Sequence, residues 1–138
     1  MTPPSTEERR RPGGHNASVL IVDAANVIGS RPDGWWRDRP GAARGFVDRV
    51  TAAVAAGRLE APVVVVLEGT ARAGVPEGPL GPGITVVHAP GAGDDAIVAA
   101  AGAPDARVVT ADRGLRRRID ALGAVAVGPR WLWDRLDA

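Results

Sequence analysis

A run of apolar, largely β-branched residues that ends at a carboxylate places the strongest constraint on how this chain folds. The run covers residues 18–23 and reads SVLIVD, and the residues AAN follow it at 24–26. A segment this short and this apolar is typical of a central parallel strand that is buried on both faces. In an open α/β sheet the functional crevice lies at the carboxyl ends of the strands, near the point where strand order reverses. We therefore expect Asp23 to lie at that edge and Asn26 to face the same crevice.

Four further apolar runs alternate with helical patterns. The predicted strands cover residues 62–67, 84–88, 107–110 and 124–127, and helices are predicted over 40–56, 94–101, 113–122 and from 129 onward. Strands that alternate with helices predict a mostly parallel sheet with right-handed crossovers. We predict an α/β fold, namely a three-layer α/β/α sandwich whose five-stranded sheet has the order 3-2-1-4-5. Residues 24–39 and 70–82 are predicted to be loops, because glycine and proline are frequent there.

Composition limits the number of domains and the kinds of site. A chain of 138 residues predicts one domain, at 17–138, and the Pro-, Arg- and Glu-rich residues 1–16 are predicted to form a disordered tail. Cysteine is absent, which excludes disulfides and thiolate metal sites. No run approaches the roughly 20 apolar residues of a membrane span, and the first residues lack an apolar signal segment. We expect a cytoplasmic protein that does not contact membranes.

Acids recur at the ends of the predicted strands and at one helix start. They are Glu68 after strand two, Asp94 and Asp95 at the start of a helix, and Asp112 after strand four, with Asn26 and Thr110 as polar neighbours. In the 3-2-1-4-5 order these side chains converge with Asp23 on one crevice. Two like charges about 4 Å apart repel by about 4 kcal/mol at an effective dielectric near 20, so such a cluster holds protons or binds a cation. Oxygen ligands without cysteine favour Mg²⁺ or Mn²⁺ over zinc.

Capping is the alternative explanation for each acid taken alone. Asp94, Asp95 and Asp112 could cap helices, and Glu68, which precedes a glycine, could lie in a solvated turn. Asp23 is harder to explain in this way, because it follows core residues and precedes two alanines, which offer no turn chemistry. A shared metal site accounts for all of the acids together and is the prediction we adopt.

Three short motifs resemble those of the NYN branch of PIN-like nucleases. The residues VDAAN at 22–26 resemble V-D-[GA]-x-N, GDDAIV at 93–98 is similar to A-D-D-x-I, and VTADR at 109–113 resembles V-T-[SA]-D-R. The motifs occur in the family's order, and the similarity covers residues 18 to about 135. The small bacterial YacP-like group is the branch that the chain resembles most.

The resemblance implies a PIN-like sandwich and metal-dependent RNA cleavage. By position it assigns catalytic and metal-ligand roles to Asp23, Asp94, Asp95 and Asp112, and Asn26 would orient the first acid or a water. The residues expected to line the cofactor site are Asn26, Thr110, Arg113 and Glu68. Two positions depart from the family pattern: Gly93 replaces a small alanine, and Glu68 stands where an aspartate is usual.

Arginine and tryptophan suggest how RNA would be held. All 17 basic residues are arginine, whose guanidinium group matches phosphate oxygens, although a GC-rich genome explains the same bias. Arg113 lies next to an acid and is expected to hold a phosphate, whereas residues 116–118 are expected on a solvated helix face. Trp35 and Trp36 could stack on an unpaired base, or one or both could belong to the core.

We predict a Mg²⁺- or Mn²⁺-dependent ribonuclease with RNA as its partner. Two alternatives remain open. The same acids could serve a phosphoanhydride hydrolase of the nucleoside-triphosphate pyrophosphohydrolase type, or the chain could be an inactive NYN module that binds RNA or protein. A receiver domain is disfavoured because the chain has no lysine. The sequence leaves the oligomeric state open, a homodimer included.

Overall fold

The computed structural model of the protein describes residues 18–103 and 105–138. The tail predicted over residues 1–16 lies outside the described residues. The described elements are β1 (Leu20–Asp23), α1 (Ala24–Gly29), α2 (Arg39–Ala55), β2 (Val63–Leu67), β3 (Gly78–Pro79), β4 (Ile84–His88), α3 (Gly93–Ala100), β5 (Arg107–Val109), α4 (Arg113–Ala121), β6 (Val125–Val127) and α5 (Pro129–Asp137). Two 3₁₀ turns cover Trp35–Arg37 and Gly69–Gly74.

The sheet has the order β3-β4-β2-β1-β5-β6. Its five longer strands run parallel and keep the predicted 3-2-1-4-5 order, with β1 between β2 and β5. The predicted strand count was wrong by one, because the two-residue strand β3 pairs antiparallel with β4 at the edge. A strand of two residues that includes a proline lacks the alternating pattern by which a strand is predicted from sequence.

Helices cover both faces of the sheet, which confirms the three-layer architecture. One core cluster packs α1, α2 and α5 against the face that carries Leu20 and Val22. The other cluster packs α3 and α4 against the face that carries Ile21 and Val108. Successive residues of β1 therefore serve different cores, as the two-residue period of a strand requires.

The segment after β1 is more regular than the predicted loop. Helix α1 begins directly at Ala24, because the Asp23 side chain accepts a hydrogen bond from the Asn26 backbone and acts as the N-cap. The Trp133 indole of α5 donates to the Val27 carbonyl at 3.2 Å and to the Ser30 hydroxyl at 3.0 Å. These bonds tie α1 to α5 and hold the segment that follows Asp23.

The predicted loop over residues 70–82 also contains regular structure, namely the second 3₁₀ turn and β3. The turn packs against α2 so closely that a Cβ added at Gly74 would lie 2.0 Å from the Pro40 carbonyl oxygen. Across the described residues, no helix is long and apolar enough to cross a membrane.

Candidate active site

Asp23 is the last residue of β1 and is only 7% exposed. It pairs in parallel register with Val66 of β2, and Glu68 follows that strand directly. Thr110 follows β5, the neighbour of β1 on the other side. Asp23, Glu68 and Thr110 thus lie at the same carboxyl edge of the sheet, where the strand order reverses.

Two hydrogen bonds hold the Asp23 carboxylate. The buried Thr110 hydroxyl donates to Asp23 Oδ2 at 2.9 Å, and the Asn26 backbone N–H donates to Oδ1 at 3.4 Å. The Thr110 oxygen also accepts from the Asp112 backbone N–H at 3.1 Å. Thr110 therefore joins the end of β1 to the segment that leads into α4.

The electrostatic environment of Asp23 disfavours its charge. Burial raises the pKa of Asp23 from 3.8 to about 6, and the hydrogen bonds from Thr110 and Asn26 oppose this rise. The negative charges of Glu68 and Asp94 raise the pKa further. At neutral pH the end of β1 therefore carries a buried carboxylate, and two further acids, Glu68 and Asp94, lie near it. The ion pairs found among the described residues do not involve these three acids.

Glu68 is fixed by the start of a helix. Its Oε1 atom accepts a hydrogen bond from the Gly93 backbone N–H at the first residue of α3. A Cβ at Gly93 would lie 2.7 Å from the same oxygen. Glu68 and Gly93, the two departures from the family pattern, therefore form one contact. The longer side chain of Glu68 reaches α3, and Gly93 leaves room for it.

The paired acids of α3 separate. Asp94 is half-buried in the first turn and acts electrostatically on Asp23. The Asp95 side chain is 90% exposed, and its Oδ1 accepts from Arg118 of α4 at 2.9 Å. The negative charge of Asp94 thus acts on Asp23, whereas Asp95 is paired with an arginine on the neighbouring helix.

Asp112 and Asn26 shape the segment between β5 and α4. Asp112 Oδ1 accepts from the Leu115 N–H at 2.8 Å, so this acid caps α4, as the capping alternative anticipated. Asn26 Oδ1 accepts from the Ala111 N–H at 2.7 Å. The Asn26 side chain therefore holds the neighbouring segment, while its backbone N–H contacts Asp23.

Two arginines of α4 differ in what they contact. Arg113, at the first residue of the helix, is exposed. Arg116 is half-buried rather than solvated, because it donates to the Thr110 carbonyl at 2.9 Å. This contact was not predicted from the sequence, although Arg116 lies one turn after Asp112, where a long side chain reaches back over the helix start.

The donor set fits a hard divalent cation, because carboxylate and hydroxyl oxygens are the ligands that Mg²⁺ and Mn²⁺ prefer. In the described part of the chain, no three acidic or histidine side chains are placed so that they could hold one ion together. Mg²⁺ is usually held by one or two carboxylates with several waters and substrate phosphates, rather than by a closed protein cage. An open site around Asp23 therefore suits such an ion.

The comparisons with known proteins bear on the fold. No protein-family model matches the chain, and neither does any curated protein. Among solved structures, the crystal structure of Rae1 (YacP) from Bacillus subtilis superposes with a TM-score of 0.66 and 21% sequence identity. The superposition covers 87% of this chain and 74% of that one.

The chain has the fold of Rae1 (YacP). This finding confirms, at the level of the fold, the resemblance to the YacP-like branch, and the strand order confirms the predicted α/β sandwich. The roles assigned to Asp23, Asp94, Asp95 and Asp112 as metal ligands stay predictions. So do the roles of Asn26, Thr110, Glu68 and Arg113 in the cofactor site.

Proposed function

We propose that this protein is a ribonuclease that hydrolyses RNA phosphodiester bonds with the help of Mg²⁺ or Mn²⁺. The observation that carries the proposal is the burial of Asp23 at the carboxyl edge of the sheet, with Glu68 and Asp94 near it. A buried carboxylate beside other acids is costly unless something neutralises it. A divalent cation would do so at the edge where α/β sheets bind their ligands.

Asp23 and Asp94 would hold the ion, with Glu68 and Asp112 beside them. When bound, such an ion polarises a phosphate oxygen and lowers the pKa of a coordinated water. Thr110 and the Asn26 backbone fix the Asp23 carboxylate in one orientation. Glu68 is fixed in the same way by its bond to the Gly93 N–H. The acids are therefore positioned before any substrate arrives, which is what a catalytic site requires.

RNA is the substrate that this proposal favours. The exposed Arg113 follows Asp112 at the same edge and would hold a phosphate next to the acids. A guanidinium group can pair with two phosphate oxygens at once. Arg116 would support the site rather than bind substrate, because its guanidinium holds the Thr110 carbonyl.

One observation favours the non-catalytic alternative, a module that binds RNA or protein without cutting it. The described acids do not form a ready three-ligand site. The two functions can be distinguished by experiment, because a binding module needs no divalent ion and leaves RNA intact.

The test is incubation of the full chain with single-stranded RNA, and separately with nucleoside triphosphates, in Mn²⁺ or in EDTA. We expect the wild type to cleave RNA in Mn²⁺ and not in EDTA, and we expect Asp23→Asn to lose this cleavage. Asp48→Asn, an exposed acid of α2, is the matched control and should cleave like the wild type. Cleavage of triphosphates but not RNA would assign the phosphoanhydride activity, and no cleavage of either would leave the binding module.

The same assay decides the role of Asp95. If this acid binds the ion, Asp95→Asn should reduce cleavage as strongly as Asp94→Asn. If its pairing with Arg118 is its main role, Asp95→Asn should retain most activity, because an exposed ion pair contributes little to stability.

A further inference from the structure

A cavity of about 120 Å³ lies beside the acids. It is formed by α1, the start of α2 and the 3₁₀ turn after β2, and Glu68 lines it. Because Glu68 also belongs to the acidic cluster, the cavity and the candidate active site share a wall. One ligand can therefore place a group in the cavity and a phosphate at the acids.

Small apolar residues give the cavity its size. Its walls include Ala42 of α2 and Ala71 of the 3₁₀ turn, together with Ile28 and Leu67. Pockets for drug-sized ligands measure roughly 300–1,000 Å³, so this cavity takes one small ring system and not a whole nucleotide. Apolar side chains share this narrow space with polar groups such as Glu68 and Thr70, which suits a flat ring that carries polar atoms at its edge.

An indole and a guanidinium group complete the lining. Trp35 is half-buried and packs against the core, and Trp36, its neighbour in the chain, is 48% exposed. The guanidinium carbon of Arg39 lies 4.9 Å from the centre of the Trp35 ring. Arg39 is exposed, so its side chain can move away from the ring that it covers. A base can take the place of this flat cation, which frees Arg39 to pair with a phosphate.

We propose that this cavity binds one unpaired base of the substrate RNA, stacked on Trp35, next to the phosphate that is held at the acids. The inference rests on the proposed function, because it takes the ligand at the acids to be RNA. The cavity makes the protein select single-stranded RNA, since a base within a duplex is not free to enter. A free nucleotide offers the same base, and the experiment separates the two sources.

The test is the affinity of the full chain for a five-nucleotide single-stranded RNA, measured by fluorescence anisotropy in EDTA. Ala71→Leu fills the cavity and should weaken binding about tenfold, the effect of losing one stacked base. Ala73→Leu, at an exposed position of the same turn, should bind like the wild type. Trp35→Leu should weaken binding as Ala71→Leu does, and Trp36→Leu should not. Thermal unfolding followed by circular dichroism shows that each variant is folded.

A matched ligand without bases identifies what the cavity binds. A chain of five abasic ribose phosphates should bind the wild type and Ala71→Leu equally. If Ala71→Leu weakens binding of a free mononucleotide but not of RNA, the source is the nucleotide and the RNA proposal is overturned. Equal binding of the intact and abasic chains by the wild type, undetectable binding included, would also overturn it. The assay needs no cleavage, so its failure is distinct from a failure of the proposed activity.

Discussion

Two hydrogen bonds stabilise the charged form of Asp23, whereas burial and two nearby acids destabilise it. The net effect raises its pKa from 3.8 to about 6. A shift of this size corresponds to about 3 kcal/mol of unfavourable free energy once the carboxyl is charged in both the folded and unfolded states. The residue that the sequence placed at the strand end therefore lowers stability at neutral pH. Such a residue is retained for function more readily than for folding.

The free-energy cost of the buried Asp23 charge depends on pH. Well below pH 3.8 the carboxyl is neutral in both states and costs nothing. Between about pH 4 and 6 the unfolded chain releases its proton while the folded chain keeps it, so stability falls as pH rises. We therefore expect Asp23→Asn to raise the free energy of unfolding in EDTA by up to about 3 kcal/mol more at pH 8 than at pH 4. Urea unfolding at the two pH values measures this, and an equal effect at both would contradict the pKa shift.

At the scale of elements, the candidate site is built where three helices begin. Asp23 caps α1, Glu68 bonds to the first residue of α3, and Asp112 caps α4. Each helix start thus fixes one acid, and acids at these ends also suit the helix dipole. The capping and metal-site interpretations of Glu68 and Asp112 are compatible, because a carboxylate has a second oxygen.

The contact between Glu68 and Gly93 predicts a coupling between two substitutions. Gly93→Ala places a methyl group against the Glu68 carboxylate, which should move away and lose its hydrogen bond. We expect Gly93→Ala to reduce the free energy of unfolding by about 1–2 kcal/mol. In a Glu68→Asp background, whose shorter side chain leaves room, the same change should cost less. A double-mutant cycle by urea unfolding measures the coupling, and additive effects would show that the two residues act independently.

Substitutions of Asp112 separate its role as a helix cap from the role of its charge. Asparagine caps helices about as well as aspartate, whereas alanine costs about 1 kcal/mol. We expect Asp112→Asn to keep wild-type stability and Asp112→Ala to lose about 1 kcal/mol in urea unfolding. If the acid also binds the ion, Asp112→Asn should lower cleavage of RNA in Mn²⁺ despite its stability. Full activity in Asp112→Asn would limit this residue to the cap.

Long periodic elements could be predicted from the sequence, and contacts between elements could not. The apolar spacing of Phe46, Val47 and Val50 predicted α2 to within a residue, since a 3.6-residue period is a local property. Helix α1 was missed because two alanines were taken to rule out a capping role for Asp23, and this argument was wrong, since the Asp23 side chain caps the helix. The Asn26–Ala111 and Arg118–Asp95 bonds join residues that are distant in sequence. Only the folded topology shows which acids face Asp23 and which do not.

At the scale of the whole molecule, strand order brings the chemistry together. Because β1 lies between β2 and β5, the end of β1 meets Glu68 on one side and Thr110 on the other. Helix α3 adds Asp94 from one face of the sheet, and the cavity beside Glu68 opens among α1, α2 and the 3₁₀ turn, on the face that α1 and α2 cover. The strand order therefore places the acids around Asp23 and the cavity beside Glu68 next to each other. Both proposed sites belong to the crevice at the carboxyl edge of the sheet.

Calorimetric titration of the full chain with Mn²⁺ at pH 8 tests the central claim most directly. We expect saturable binding by the wild type and an affinity weakened about tenfold or more in Asp23→Asn, because each carboxylate ligand adds charge that holds the ion. Asp48→Asn should bind like the wild type. Only heats of dilution with the wild type, or unchanged affinity in Asp23→Asn, would contradict the claim that the acids around Asp23 form a metal site.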